Sequence, residues 1–252
     1  MNVLSKFVYE TIPKIIHQIY FDFGHGASYT DVPCFADCVE KTITFCKKYG
    51  FKHIVWDLPK VRYLLRKFYP QYQRLWDDFT YPIMRCDFCR YLILNHFGGI
   101  YMDMDCMPAR EFDGQLLNQE QFFTTWHNDT RNLPYNALMG SVKGNQLFRD
   151  IAEHAEESFY KRSQTLRKHW KGRLIFHTTG HYMLARVLKK HEISPKSYLE
   201  INRFKYRQPA AKEIIKCDNP YVIDYNVSLW WKDCCANKDK LWNNEWWSPT
   251  VQ

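Results

Sequence analysis

Residues 98–108 read GGIYMDMDCMP. An apolar run that breaks into two aspartates one residue apart decides the fold class. Just before it, Tyr81 to Phe97 carries apolar residues on a helical period and is stopped by Gly98 and Gly99, since glycines beyond the last periodic residue end helices. IYMDMD (100–105) then reads as a short strand. Successive side chains of an extended segment alternate faces, so Asp103 and Asp105 are expected to point one way and Met102 and Met104 the other. Two converging carboxylates repel unless a cation sits there, and oxygen ligands at a strand end suit Mn2+ or Mg2+, which would bridge to the phosphates of a nucleotide. The glycine pair is expected to let that ligand approach the backbone.

Outward from this stretch, helical and extended patterns alternate. IIHQIYF (15–21) reads as a first strand, Cys34 to Tyr49 as a helix closed by Gly50, and FKHIVW (51–56) as a second strand, which is a β-α-β unit. Val61 to Phe68, Gln146 to Tyr160 and Thr179 to His191 read as further helices, and QFFTTW and NALMGS as further strands. Such alternation predicts an α/β protein: a Rossmann-like, mainly parallel sheet flanked by helices, with its ligand beyond the carboxyl ends of the strands.

A chain of 252 residues that is 46% hydrophobic can bury a sizeable core, and one domain over 1–252 is expected. The net charge of +8 suits an anionic ligand or surface. The first residues contain no apolar run of signal-sequence length and no later stretch approaches a membrane span, so a soluble, cytoplasmic protein is expected. Nine cysteines without a regular framework read as reduced and mostly buried, Cys86 and Cys89 among them.

Asp87 and Arg90 lie three apart on the helix before the aspartates and share a face. By itself that spacing describes an intrahelical ion pair worth a few tenths of a kcal/mol. The whole run RCDFCRYLILNHFGGIYMDMD (85–105), however, resembles the signature of the DXD-containing sugar transferases of glycosyltransferase family 32: S-D-x-x-R followed by L-x-x-x-G-G-x-Y-x-D-x-D, with Cys86 in place of the serine. IPKIIHQIY (12–20) is similar to the family's opening strand, with Tyr20 where tryptophan is usual. Asn136 matches an asparagine of its middle strand, and TTG (178–180) matches its T-G-P turn with His181 in place of proline. Ser228-x-Trp230 resembles the serine and tryptophan that close over the donor in this family and in the related clostridial glucosylating toxins. Those toxins carry a glutamate metal ligand three residues before the serine, where this chain has Tyr225.

The resemblance implies a GT-A type glycosyltransferase fold, with residues 217–252 closing over the donor site, and a retaining, metal-dependent transfer of a hexose from a nucleotide-sugar. It implies Asp87, Arg90, Asp103 and Asp105 as catalytic residues and Asp103, Asp105 and Ser228 as metal ligands for Mn2+ or Mg2+. Tyr20, Asp87, Arg90, Gly99, Tyr101, Asp103, Asn136, Ser228 and Trp230 are implied as donor-binding. A UDP-hexose is expected ahead of GDP-mannose, with a glycan, lipid or protein as acceptor. Other readings are an inactive nucleotide-sugar-binding relative and a nucleic-acid-binding module; the aspartates oppose the second, since without metal they repel a phosphate backbone.

Several other features have plainer accounts. His17 reads as a hydrogen-bonded core histidine. His177 and His181 lie four apart near a helix start, with no third ligand evident. Five of the nine tryptophans fall between Trp230 and Trp247 and suit packing of a C-terminal lid. KRSQTLRKHWKGR (161–173) has six cations and no acid, which fits a solvated helix end or contact with an acidic acceptor or membrane surface.

Overall fold

The computed structural model describes residues 10–22, 28–128, 131–166, 171–207, 210–215 and 219–225. In chain order the elements are β1 (Ile15–Ile19), α1 (Pro33–Tyr49), β2 (Lys52–Trp56), α2 (Leu58–Phe68), α3 (Gln73–Asp78), α4 (Pro82–Phe97), β3 (Gly99–Met102), β4 (Cys106–Pro108), α5 (Gly114–Leu117), β5 (Gln121–Asn128), β6 (Arg131–Ser141), α6 (Gln146–Leu166), α7 (Lys171–Thr178), α8 (His181–Lys190), β7 (Asn202–Arg207), β8 (Ala210–Ile215) and β9 (Val222–Asp224).

A five-stranded sheet of order β2-β1-β3-β6-β5 forms the centre. β1 pairs in parallel with β2 and β3, and β6 runs antiparallel to both β3 and β5. Four of the five strands therefore point one way. The α/β class with a mainly parallel sheet is as expected. The period of two assigns side chains to the two faces: Ile16, Ile100, Met102 and Leu138 join Phe45, Phe51 and Phe112 on the α1 side. Ile19, Tyr101 and Met139 join Phe88, Leu92, Phe148 and Leu184 on the other, beneath α4, α6 and α8.

Local chemistry explains the boundaries. Asp57 caps α2, its carboxylate accepting from the Lys60 amide, so the helix starts at Leu58 and not at Val61 as its apolar pattern suggests. Gly50 ends α1 in the left-handed conformation (φ 72°), where a glycine carries no Cβ penalty. The helix expected over Thr179 to His191 is α8, which starts two residues later at His181, and a separate helix that was not expected, α7, ends just before it at Thr178. Between them, the amides of Thr179 and Gly180 both donate to the Ile175 carbonyl. Strands β5 and β6 are longer than QFFTTW and NALMGS and form a hairpin with an irregular register at Phe123/Thr124.

Two expectations are corrected. The strand read as IYMDMD ends at Met102; the Asp103 amide donates to Ala137 O, and the Cys106 amide closes back on Asp103 O at 3.1 Å, making 103–106 a turn. A second sheet, of order β4-β9-β7-β8, follows that turn. Its strands β4 and β9 escaped sequence reading because they are three residues each, too short to show a period.

Gly98 and Gly99 serve the chain's own packing. At Gly99 (φ 93°) a Cβ would stand 2.7 Å from Ile15 O, and at Gly98 (φ 64°) 2.6 Å from the Lys143 amide. The close approach is that of strand β1 and the residues after β6, with no ligand needed to explain it. His17 is the buried, neutral histidine expected. The Trp56 indole N–H donates to its Nδ1 at 3.1 Å, leaving Nε2–H to donate to Gly98 O at 2.9 Å, and burial lowers its pKa to about 4.

Candidate functional site

Because β1 and β3 are parallel, Tyr20 and the Asp103–Asp105 turn emerge from the same edge of the sheet, the carboxyl edge at which ligands of open α/β sheets sit. Helix α4 supplies the buried floor. Every residue from Met84 to Asn95 is buried, so Asp87 and Arg90 form no solvated surface pair: their side chains are 8% and 4% exposed. Charges so placed must satisfy one another.

They do so in a closed network. Arg90 Nη2 meets Asp87 Oδ1 at 2.9 Å, and Nη1 meets Asp103 Oδ1 at 3.3 Å and donates to Asn136 O at 2.6 Å. The guanidinium lies over the Tyr101 ring, 4.6 Å from its centroid. Tyr101 OH donates to Asp103 Oδ1 at 2.6 Å. Asp87 accepts from Asn136 Nδ2 at 3.0 Å and, on its other oxygen, from Thr179 Oγ1 at 3.1 Å. Tyr91 OH donates to Thr179 O at 2.7 Å, tying the α7–α8 break to α4. Burial raises the Asp87 pKa to about 6, with Arg90 pulling it back, so the carboxylate is ionised at neutral pH. Asp103 is fixed through its backbone as well, since Gln18 Nε2 donates to Asp103 O at 3.1 Å while His53 bonds Gln18 Oε1 at 2.8 Å.

The two aspartates of D-x-D part company at the turn. Asp103 faces Arg90 and Tyr101, whereas Asp105 faces the second sheet. There the Tyr225 amide donates to Asp105 O at 3.0 Å. Carboxylate oxygens of Asp105 and Asp224 and the Cys106 thiol all lie within 4.8 Å of one another. The expectation that both side chains share one face is corrected, because it assumed an extended chain through Met104. Asp224, opposite Cys106 in the β4–β9 register, was not expected; its position beside Tyr225 was the available signal.

Of the other expected site residues, Asn136 and Tyr101 belong to the buried network beneath Asp103. Tyr20 sits half-buried, edge-on to Tyr29 and near Phe35, with ring centroids 5.8 and 6.4 Å away. Thr179, which the TTG match places without a role, holds Asp87. His177 and His181 serve packing contacts: His177 stacks on Tyr182, and His181 lies against Phe176. Ser228 and Trp230 lie outside the described residues, as does most of the lid expected over 217–252. No helix among the described residues is long and apolar enough to cross a membrane.

Residues 34–123 match the family model described as a glycosyltransferase sugar-binding region containing the DXD motif. Glycosyltransferase L373 of Acanthamoeba polyphaga mimivirus, itself uncharacterised, is 36% identical over 228 residues, covering 87% of this chain and 84% of the viral protein. The mannosyl phosphorylinositol ceramide synthase SUR1 of Saccharomyces cerevisiae is 31% identical over 55% of this chain, and inositol phosphoceramide mannosyltransferase 1 of Schizosaccharomyces pombe is 29% identical over 45%. The chain spans only 33% and 34% of those two yeast relatives. Among solved structures, the PaToxG glycosyltransferase superposes with a TM-score of 0.48 at 17% identity, over 72% of this chain and 70% of that one. With the D-x-x-R helix, the G-G-x-Y-x-D-x-D strand and turn, and near full-length similarity to the viral protein, the chain belongs to the DXD-containing glycosyltransferase family.

Proposed function

We propose that the protein transfers a hexose from a nucleoside-diphosphate sugar to an acceptor hydroxyl, with a divalent cation and with retention at the anomeric carbon. The observation that carries this reading is the division of the D-x-D pair: Asp103 is braced by Arg90 and Tyr101, and Asp105 stands with Asp224. Two carboxylates offering hard oxygen ligands fit a divalent ion, and Asp105 and Asp224 would hold it. Bound there, such an ion would neutralise the charge that builds on the departing diphosphate.

The remaining tasks fall to the protein's own side chains. Asp103, 30% exposed, is the open member of the charged network and is suited to accept hydrogen bonds from ribose or sugar hydroxyls. Arg90 and Asp87 are buried and engaged with each other, so they act through Asp103 and Asn136 as positioning residues. Arg90 stays protonated throughout. Tyr20, at the half-open sheet edge, offers a ring face to a nucleobase.

The mannosyl names of the yeast relatives make mannose the first hexose to test, and move GDP-mannose level with the UDP-hexoses expected from sequence. The acceptor is a hydroxyl of a glycan, lipid or protein; the inositol phosphoceramide in those names puts a sphingolipid first. The test is a panel of UDP- and GDP-sugars incubated with Mn2+, with and without chelator, reading released nucleoside diphosphate and the product's anomeric configuration by NMR. Metal-independent turnover, or an inverted product, refutes the corresponding part of the proposal.

A further inference from the structure

The Asp105 side of the site contains sulfur as well as oxygen. Cys106 and Asp224 face each other across the β4–β9 ladder, which puts their side chains on one face of the second sheet. Both are fully buried. The Cys106 thiol and the Asp105 and Asp224 oxygens lie within 4.8 Å of one another, near enough for small side-chain shifts to bring all three to one ion with bonds of about 2.0–2.3 Å. Burial and the neighbouring Asp224 and Asp105 carboxylates hold the Cys106 thiol protonated in the metal-free protein, and buried Cys38 of α1 stands near enough to act on it. Oxygen donors alone select hard ions of the Mg2+ and Ca2+ kind, whereas a thiolate shifts preference toward softer ones.

We propose that Cys106 gives the cation site a sulfur ligand, so that it prefers thiophilic divalent ions such as Zn2+, Co2+ and Cd2+ over Mg2+, with Mn2+ between. This rests on the reading of Asp105 and Asp224 as cation ligands. On binding, the Cys106 S–H bond breaks, its electron pair goes to the metal and the proton leaves to solvent. The preference is a property of these side chains and needs no nucleotide.

The test is titration of the reduced full-length chain with Cd2+ under anaerobic conditions, following the ultraviolet sulfur-to-metal charge-transfer band and proton release, with Mn2+ and Mg2+ as competitors. We expect one Cd2+ bound with the band present. Mn2+ should displace it at far lower concentration than Mg2+. Cys106→Ser should lose the band and weaken Cd2+ binding by about tenfold or more while changing Mn2+ affinity little. Cd-113 NMR of the unmutated chain gives the ligand set independently if that variant folds poorly, and a resonance in the all-oxygen range overturns the proposal. A band that survives Cys106→Ser and vanishes in Cys38→Ser overturns it too, since the sulfur then comes from α1. Mn2+ binding that is lost in Asp105→Asn while Cd2+ binding ignores Cys106→Ser sinks the sulfur ligand and spares the cation site. Mn2+ binding indifferent to both Asp105→Asn and Asp224→Asn sinks the site itself, and the sulfur ligand with it.

Discussion

Replacing Arg90 by methionine keeps much of the side chain's volume and removes its charge, and the structure fixes what that should cost. The guanidinium serves Asp87 at 2.9 Å, Asp103 at 3.3 Å and the Asn136 carbonyl at 2.6 Å. Removing one partner of a buried ion pair costs about 3–5 kcal/mol, because the other charge stays buried. Here Asp87 is the charge left behind; Asp103 is partly hydrated, and its share is correspondingly small. The Asn136 carbonyl adds about 1–3 kcal/mol if it goes unsatisfied. A loss of about 4–8 kcal/mol at pH 8 is therefore expected, a large part of the roughly 5–15 kcal/mol that holds a domain folded.

The pH dependence has a definite sign. Burial raises the Asp87 pKa from 3.8 to about 6 in the folded protein. A raised folded-state pKa contributes stability that is full below 3.8 and is lost as pH rises through about 6. Taking Arg90 away removes the cation that holds this pKa down, so the variant's folded pKa climbs further and its loss extends to higher pH. The deficit of Arg90→Met relative to the unmutated protein should thus be smaller at about pH 5.5 than at about pH 8. Adding Asp87→Asn should recover about 1–3 kcal/mol at pH 8 and flatten the profile. Urea unfolding of the four proteins at both pH values reads all of this. A deficit of under about 1 kcal/mol at pH 8, independent of pH, would refute the reasoning and reduce the pair to a solvated i,i+3 contact.

Asp105→Asn and Asp224→Asn should each abolish Mn2+-dependent binding of a nucleoside diphosphate while leaving the unfolding midpoint nearly unchanged; calorimetric titration that still shows Mn2+-dependent binding removes the residue from the cation site. Gly99→Ala should destabilise by about 2–5 kcal/mol, since its Cβ meets Ile15 O at 2.7 Å with φ at 93°. Gly50→Ala, with nothing within 4 Å, should cost only about 1 kcal/mol, and equal shifts in thermal unfolding would contradict the packing account. Thr179→Val deletes a donor to buried Asp87 and should cost about 1–3 kcal/mol, chiefly at neutral pH and above, where the carboxylate is ionised.

The parts of this protein legible in its sequence are those whose patterns are local. The apolar run of α4 and the D-x-D after a glycine pair each declare themselves within about twenty residues, and the alternation β1-α1-β2 within Ile15 to Trp56. Helical spacing identified Asp87 and Arg90 as an intrahelical ion pair, which they are; the burial of that pair and the reach of Arg90 to Asp103 lie beyond what spacing shows. What escaped were groups whose meaning depends on distant partners. Gln18 is one polar residue in an apolar strand until it is seen to hold the Asp103 carbonyl. Asp224 belongs to a three-residue strand with no period to read. The glycine pair was legible as glycine, but its packing role was not, because sequence cannot show that strand β1 and the residues after β6 come so close to it.

The turn at 103–106 is where these two kinds of information meet. β3 delivers the chain to the carboxyl edge of the central sheet, and its last residue pairs with β6. One turn later Cys106 pairs with Asp224 in the second sheet. Neighbouring aspartates are thereby anchored to different bodies of structure, Asp103 to α4 and the central sheet, Asp105 to β9. A ligand contacting both would bridge the two sheets, and its binding energy would resist their separation. Nucleotide and cation should then protect β9 and β4 from hydrogen exchange together, although β9 lies more than a hundred residues further along the chain.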